Sequence, residues 1–297
     1  MRFSVIVPTY NRKDLLRRCL ATVVDQDYAD YEVIVVDDAS TDGSGEMVRH
    51  EFSRVHYIRQ PEHQGQFVAR NRGIQASDGD LLAFVDDDCV YSRDWLAAHA
   101  KYYGDSRIGA VGSQKGPLVP DFYYKFHAAH YSDQYRAVQR MERITARQQN
   151  LRTGSMSIAR CAIERVGGFD EQFVKGSTQD LVRRISSAGF QFVCDPALYV
   201  EHTQTFTLRT FLADRFHEAS GQIMTDVKEG TVRARRFVPL LNVGRTWKVW
   251  RNFHEMFGGS IRIFAAFWGL ALLTRWAEVA GRANYYWTDG RNYRRPA

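Results

Sequence analysis

The sequence predicts an α/β fold: a mostly parallel central sheet flanked by helices, with a helical C-terminal extension. Three observations carry this expectation. Short apolar runs alternate with stretches whose apolar residues recur at helical spacing, the pattern of strand–helix–strand units. The apolar runs are continuous rather than alternating, as in strands buried on both faces. The 297 residues are 44% hydrophobic and 25% charged, an ordinary globular composition that excludes a disordered or fibrous chain and suits one large domain with an appendage.

Phe3–Val7 is the first expected strand, closed by Pro8-Thr9-Tyr10-Asn11. Leu15, Leu16, Cys19, Leu20, Val23 and Val24 then give one apolar helical face. Glu32–Val36 is the second strand and runs into Asp37-Asp38, followed by turn chemistry at Ala39–Ser44. Val55–Arg59 reads as a third strand and Phe67–Ala76 as a helix, and Leu81–Val85 is a fourth strand ending in Asp86-Asp87-Asp88. Residues 114–150 are dense in Tyr, His and Phe and read as an excursion over the active face. Helices are expected at Ala159–Val166, Asp180–Ala188 and Leu208–Gln222, and strands at Phe190–Cys194 and Leu198–Glu201.

The chain enters a strand almost at once, so no signal peptide is expected before the fold. Its four cysteines (Cys19, Cys89, Cys161, Cys194) have no paired spacing, which argues against a zinc site or a disulfide scaffold and fits a reducing compartment. The net charge of +6 hides an asymmetry: residues 231–297 hold 12 Lys and Arg against three acids, leaving the first 230 residues at −3. The same tail holds five of the six Trp. The expected organisation is a body over residues 1–230 and a basic, aromatic helical extension over 231–297.

In an open parallel sheet, ligands sit outside the carboxyl ends of the strands, and both acidic clusters fall there. Three successive carboxylates repel one another unless a cation or donors neutralise them, and oxygen ligands suit Mg²⁺ or Mn²⁺. A solvated capping turn is the plainer alternative. Tyr10 could stack on a flat base and Asp38 could accept from a base N–H or a ribose hydroxyl; a core Tyr beside a capping Asp is the plainer reading of that pair. Arg70 would offset diphosphate charge or fix an Asp, or else form a surface ion pair.

Taken together, Ser4-Val5-Ile6-Val7-Pro8-Thr9-Tyr10-Asn11-Arg12, Val35-Val36-Asp37-Asp38, Ala69-Arg70-Asn71-Arg72-Gly73 and Phe84-Val85-Asp86-Asp87-Asp88 resemble the family 2 glycosyltransferases. Gly154-Ser155-Met156-Ser157, Val166-Gly167-Gly168-Phe169-Asp170-Glu171 and Asp180-Leu181 with Arg184 extend the resemblance to roughly residues 3–222. The resemblance implies a GT-A (Rossmann-like) fold, a nucleotide-diphosphate sugar donor and a divalent metal. It places Tyr10 and Asp38 at base-binding positions with Pro8 and Thr9 beside them, and Arg70 at a nucleotide contact. It makes Asp88 a metal ligand, Asp86 and Asp87 ribose or water-bridged partners, and His202 a completing metal or diphosphate ligand.

The implied reaction is inverting, so a base must deprotonate the acceptor hydroxyl. Where the family shows Glu-Asp-x-Asp-Leu, this chain has Ser177-Thr178-Gln179-Asp180-Leu181. Asp180, the one carboxylate of that segment, is the expected base, with Asp170 and Glu171 behind it; a plain capping role is its alternative. The acceptor is expected to be a glycan or a lipid-linked glycan. A binding or scaffold subunit that has lost its base and a sugar nucleotidyltransferase are the competing functions, the latter lacking its phosphate loop after the first strand. In the extension, Ile263–Leu273 is apolar but shorter than the about 20 residues a spanning helix needs. It is expected to lie at a membrane surface on the cytoplasmic side, or to pack on the sheet or in a homodimer interface. Nucleic acid is the less favoured partner, because no nucleic-acid motif accompanies the basic residues.

Overall fold

The computed structural model describes residues 1–117, 122–130, 143–144, 151, 153–173, 175–203, 207–229, 243–258 and 261–288. Strands and helices alternate from the start: β1 (Phe3–Thr9), α1 (Lys13–Val23), β2 (Tyr31–Asp37), α2 (Ser44–Glu51), β3 (His56–Arg59), α3 (Gln66–Gln75) and β4 (Leu81–Val85). All seven residues of β1 and all five of β4 are buried, as a sheet covered on both faces requires. The apolar stripe of α1 (Leu16, Cys19, Leu20, Val23) is buried, whereas Val24 caps the helix and is exposed. On α3, Gly73 faces Ile6 so closely that a Cβ would collide with the Ile6 side chain, which brings this helix against β1.

After the acidic turn come β5 (Cys89–Val90), α4 (Trp95–Ala100), β6 (Ile108–Pro117), α5 (Phe122–His130), β7 (Arg143–Ile144), β8 (Ser155–Ala159), α6 (Arg160–Val166), α7 (Ser177–Ser187) and β9 (Gln191–His202). Among the described residues three helices follow: α8 (Leu208–Glu229), α9 (Val243–Phe257) and α10 (Ile261–Thr288). The sheet order is β3-β2-β1-β4-β8-β6-β9-β5, with β7 also paired to β9. The first four positions are parallel, β8 runs antiparallel between β4 and β6, and β6 and β9 are parallel.

Several expectations shift. The two strands expected at 190–194 and 198–201 are one strand, β9, whose register against β6 jumps from Asp195 to Tyr199. Pro196, which cannot donate to a ladder, falls inside that jump. The aromatic excursion expected over 114–150 lies outside the described residues except for the end of β6, α5 and β7. The chain also falls into two compact units. One unit comprises Met1–Leu118, Arg136–Gln172 and Ser177–Gln204; the other comprises Val119–Tyr135, Phe173–Gly176 and Thr205–Ala297. So α8 belongs with α5, α9 and α10, because its apolar residues serve an aromatic core of Phe126, Phe211, Phe253 and Phe267.

Within the second unit, α10 is longer than its apolar run foretold. Its 28 residues include a 22-residue stretch, Ile263–Asn284, long and apolar enough by length and composition to cross a membrane. Phe267, Leu270, Thr274 and Gly281 are buried along one stripe of α10, and the Ser220 hydroxyl of α8 donates to the Gly281 carbonyl at 2.8 Å. Leu272, Leu273 and Trp276, off that stripe, are apolar but exposed. On α8, burial alone would raise the Asp214 carboxyl, yet Lys175 and Arg215 carry it down to about 2.

Candidate active site at the carboxyl edge of the sheet

The register of the first sheet positions builds the site. Thr9 pairs with Asp37 across β1 and β2, so Tyr10 and Asp38 leave the sheet side by side, and the Asp38 N–H donates to the Thr9 carbonyl at 2.9 Å. Two left-handed residues, Asn11 (φ 51°) and Ala39 (φ 68°), turn the two chains sharply here. The turns are stitched together: the Asn11 N–H donates to Ser40 Oγ at 2.8 Å, and Thr41 N–H donates to Asn11 Oδ1 at 2.8 Å.

The Asp86-Asp87-Asp88 turn follows β4 at the same edge. Thr9 Oγ1 donates to Asp87 Oδ2 at 2.8 Å, which ties the first strand to the acidic triplet. Arg12 Nη1 lies between Asp87 Oδ1 (3.0 Å) and Asp88 Oδ2 (3.1 Å). The buried Tyr91 hydroxyl accepts from the Asp86 N–H at 3.2 Å and donates to the Gly154 carbonyl at 2.6 Å, which sets the height of the turn. Cys89 pairs with His202 across β5 and β9, and this register brings His202 Nε2 to 3.2 Å from Asp88 Oδ2. The Asp88 carbonyl accepts from both the N–H and the hydroxyl of Thr203 at 2.9 Å.

Arg70 is 1% exposed. Its Nη2 donates to Asp86 Oδ1 at 2.8 Å and its Nη1 to Gln66 Oε1 at 3.0 Å, while Phe67 and Phe169 flank its plane. Burial pulls the guanidinium pKa down and Asp86 works against that pull. Its Nε is buried with no partner among the described residues, so the group is positioned but not saturated.

The donor set suits a small hard cation. Asp86, Asp88 and Cys89 each offer a ligand atom within 4.8 Å of the others, and His202 adds an imidazole nitrogen. Carboxylate oxygens and imidazole fit Mg²⁺ or Mn²⁺, whereas the thiol, which donates to Asp88 Oδ1, does not. The electrostatics point the same way. Burial carries the Asp87 carboxyl up to about 6; Arg12 pulls it down and Asp88 pushes it up. A carboxyl raised above its unfolded value favours folding fully below about pH 4, and that contribution is lost as pH rises through about 6. Asp87→Asn is therefore expected to raise the melting temperature at pH 7.5 in chelator, with an upper bound near 3 kcal/mol. The gain should vanish near pH 4; calorimetric scans of both proteins at the two pH values check it, and equal melting temperatures at pH 7.5 would count against a strained triplet.

Asp38 is held at both oxygens. Its Oδ1 accepts from Gln60 Nε2 (2.5 Å) and the Gln64 N–H (2.8 Å), its Oδ2 accepts from the Gly65 N–H (2.7 Å), and His63 Nδ1 lies 2.8 Å from Oδ2. His63 in turn stacks on Tyr10, with ring centroids 4.0 Å apart. Gln60, His63, Gln64 and Arg12 escaped the sequence reading. The spacing of Gly65 from Arg70 was visible, but the loop that hangs on Asp38 is not periodic and carries no motif.

Asp180 stands in the first turn of α7, buried. Its Oδ1 accepts from Arg183 Nη2 and its Oδ2 from Arg184 Nε, both at 2.8 Å. Arg184 also donates to the carbonyls of Val166 (2.7 Å), Gly167 (3.1 Å) and Gly168 (2.8 Å). The next residue, Phe169, is held by Asn71: its N–H donates to Asn71 Oδ1 at 2.8 Å. Asp180 therefore supports the wall that carries Phe169 and, through it, Arg70. Glu171 is engaged by Asn71 Nδ2 at 2.8 Å, and Asp170 Oδ1 accepts from the Gln172 N–H. Ser177 Oγ is buried with no partner among the described residues.

A mostly parallel sheet with an antiparallel insertion, an acidic turn after its fourth strand and a capped carboxyl edge define the GT-A class of glycosyltransferase fold. Residues 4–173 match the family model "Glycosyl transferase family 2", and the chain belongs to that family. It is 30% identical over 206 residues to the glycosyltransferase AglE of Haloferax volcanii, covering 65% of this chain and 66% of that protein. It is 36% identical over 91 residues to the GalNAc(5)-diNAcBac-PP-undecaprenol beta-1,3-glucosyltransferase of Campylobacter jejuni, covering 29% of each. The chain thus spans less than two thirds of the length of these relatives. A mannosyltransferase of Pyrobaculum calidifontis, solved with GDP-Man and Mn²⁺, superposes with a TM-score of 0.67 at 23% identity, over 97% of this chain and 88% of that one.

Proposed function

We propose that this protein is an inverting glycosyltransferase that moves a sugar from a nucleotide-diphosphate sugar to a glycan or lipid-linked acceptor in the building of a polysaccharide. The observation that carries this is the meeting at one sheet edge of an exposed stacking ring (Tyr10), a buried guanidinium (Arg70) and three successive carboxylates tied to it and to Thr9. Asp88, Asp86 and His202 would hold Mg²⁺ or Mn²⁺. When bound, that cation supplies charge to stabilise the departing nucleoside diphosphate. Tyr10 and Asp38 with Pro8 and Thr9 receive the nucleoside, Asp86 and Asp87 face its ribose, and Arg70 fixes Asp86 and faces the diphosphate. Asp180 would take the acceptor proton through Oδ1, once Arg183 releases it. Arg184, anchored on three carbonyls, keeps its hold on Oδ2.

The test is a thermal-shift screen of nucleoside diphosphates with and without Mn²⁺, followed by release of nucleoside diphosphate from the matching sugar nucleotide. A metal-dependent rise in melting temperature with one nucleotide supports the reading; no response to any nucleoside diphosphate sinks it. The engagement of both Asp180 oxygens favours one second reading, a glycosyltransferase-like subunit that binds donor and scaffolds a partner without turnover.

The extension is proposed to lie on the cytoplasmic face of a membrane. Trp247 (54% exposed) on α9 and Leu272, Leu273 and Trp276 (55%) on α10 present apolar and aromatic groups to solvent. The excess positive charge of 231–297 suits anionic headgroups. Lying in the interface fits better than spanning, because Arg275, Glu278 and Arg282 form ion pairs along α10 that a bilayer core would have to desolvate. Leu273→Glu with Trp276→Glu is expected to lower co-sedimentation with phosphatidylglycerol-containing vesicles about tenfold or more, while donor hydrolysis stays unchanged. Equal sedimentation of variant and wild type would place the contact elsewhere.

A further inference from the structure

The acidic triplet carries a positive charge of the protein's own at its rim. Arg12 Nη1 donates to Asp87 Oδ1 at 3.0 Å and to Asp88 Oδ2 at 3.1 Å, which engages both of its hydrogens. The Arg12 main chain is fixed: it follows the left-handed Asn11, caps α1, and its carbonyl accepts from the Leu16 N–H at 2.9 Å. Its side chain is not enclosed. It is 41% exposed, against 1% for Arg70, which reaches Asp86 from within the core. The Nε and Nη2 groups of Arg12 bond no described residue. Asp88 Oδ2, which accepts from Arg12, also lies 3.2 Å from His202 Nε2. A carboxylate that already holds a guanidinium binds a second cation less well, because two positive charges then repel at one oxygen.

We infer that Arg12 is a resident counter-charge of the acidic triplet, which yields Asp88 to a divalent cation and gives its guanidinium to the diphosphate of the donor. This rests on the donor-binding reading above. The exchange leaves no buried carboxylate bare: Asp87 still accepts from Thr9 Oγ1, and Asp86 keeps Arg70. The Nε–Nη2 edge of Arg12 is the planar fork that matches two oxygens of a phosphate. Charge balance favours the same order of events. Three carboxylates face two guanidinium groups, so a divalent cation turns a deficit of one positive charge into a surplus of one, and a diphosphate takes that surplus up. Arg12 therefore acts on the two ligands with opposite sign. It opposes the cation and assists the diphosphate.

Two binding measurements on the full chain, Arg12→Gln and Arg12→Lys test this. Mn²⁺ affinity is read without nucleotide from the paramagnetic resonance signal of the free ion, and UDP, GDP, CDP and ADP are then titrated calorimetrically at saturating Mn²⁺. Arg12→Gln is expected to bind Mn²⁺ about three- to thirtyfold tighter than wild type. It should bind the nucleoside diphosphate that wild type accepts about tenfold or more weakly. Arg12→Lys keeps the charge without the fork, so its Mn²⁺ affinity should stay within about twofold of wild type while the nucleotide still binds more weakly. A residue that only braces the turn would move both affinities in one direction or neither. Unchanged or weaker Mn²⁺ binding by Arg12→Gln overturns the inference, as does wild-type nucleotide affinity in either variant. If no nucleoside diphosphate binds any of the three proteins, the donor-binding reading itself falls, and this inference with it.

Discussion

Replacing Asp88 with alanine is expected to slow sugar transfer by roughly a thousandfold, the scale on which preorganised charge stabilisation operates. The fold should survive the change. The Thr203 N–H and hydroxyl bond to the backbone carbonyl of Asp88, which alanine keeps, so the tie between the acidic turn and β9 is untouched. Arg12 retains Asp87 as a partner, and Asp87 loses a buried like-charged neighbour. The melting temperature in chelator should therefore equal or exceed that of wild type, while the rise produced by Mn²⁺ should disappear. A variant that keeps its Mn²⁺ response would show that the cation is held elsewhere.

Asp180→Asn separates the catalytic reading from the structural one. If Asp180 is the base, kcat is expected to fall by about a hundred- to ten-thousand-fold with the donor KM within about twofold of wild type. Asparagine keeps an oxygen for Arg184, so the loss of stability should be near 1–2 kcal/mol. Arg183→Ala is the companion: it frees Oδ1 and should leave turnover equal or faster. If instead Asp180 only braces Arg184 against the carbonyls of 166–168, Asp180→Asn raises KM through Phe169 and Arg70 while kcat changes little. Steady-state kinetics on donor hydrolysis distinguish the two outcomes.

How much of this was readable beforehand depended on whether a residue's role is local. β1, β2 and β4 each carry a run of four or five apolar residues because both faces of the sheet are covered there, so their runs announce them. β8 is just as buried, yet Ser157 in its centre reads as polar. Its hydroxyl lies 2.7 Å from His99 Nδ1 and 2.8 Å from Tyr103 Oη, a three-way satisfaction made by tertiary contact alone. Burial lowers the His99 pKa to about 3, so that ring stays neutral in the core. β6 holds three glycines in ten residues and hides for a different reason. At the site, Tyr10, Asp38, Arg70 and the acidic triplet sit at strand ends or on a helix face, where the pattern places them. Arg12 and His63 come from loops whose course depends on a left-handed Asn11 and on the three hydrogen bonds that Asp38 accepts. The apolar run of α10 ends at Arg275, while the helix continues because that charge is met by Glu278, which also pairs with Arg282 one turn on.

The interleaving of the two units has a consequence for how the protein is made. Phe126 and Ala129, in a helix synthesised before the midpoint, are covered by Phe211, Phe253, Phe267 and Leu270. At ordinary elongation rates the ribosome needs roughly ten seconds to produce those later residues. During that interval the aromatic face of residues 122–130 has no native partner, while the strands before it can already pair. Newborn chains should therefore depend on a holding chaperone, and truncations that end before residue 270 should accumulate as insoluble protein even when the first four strands are complete.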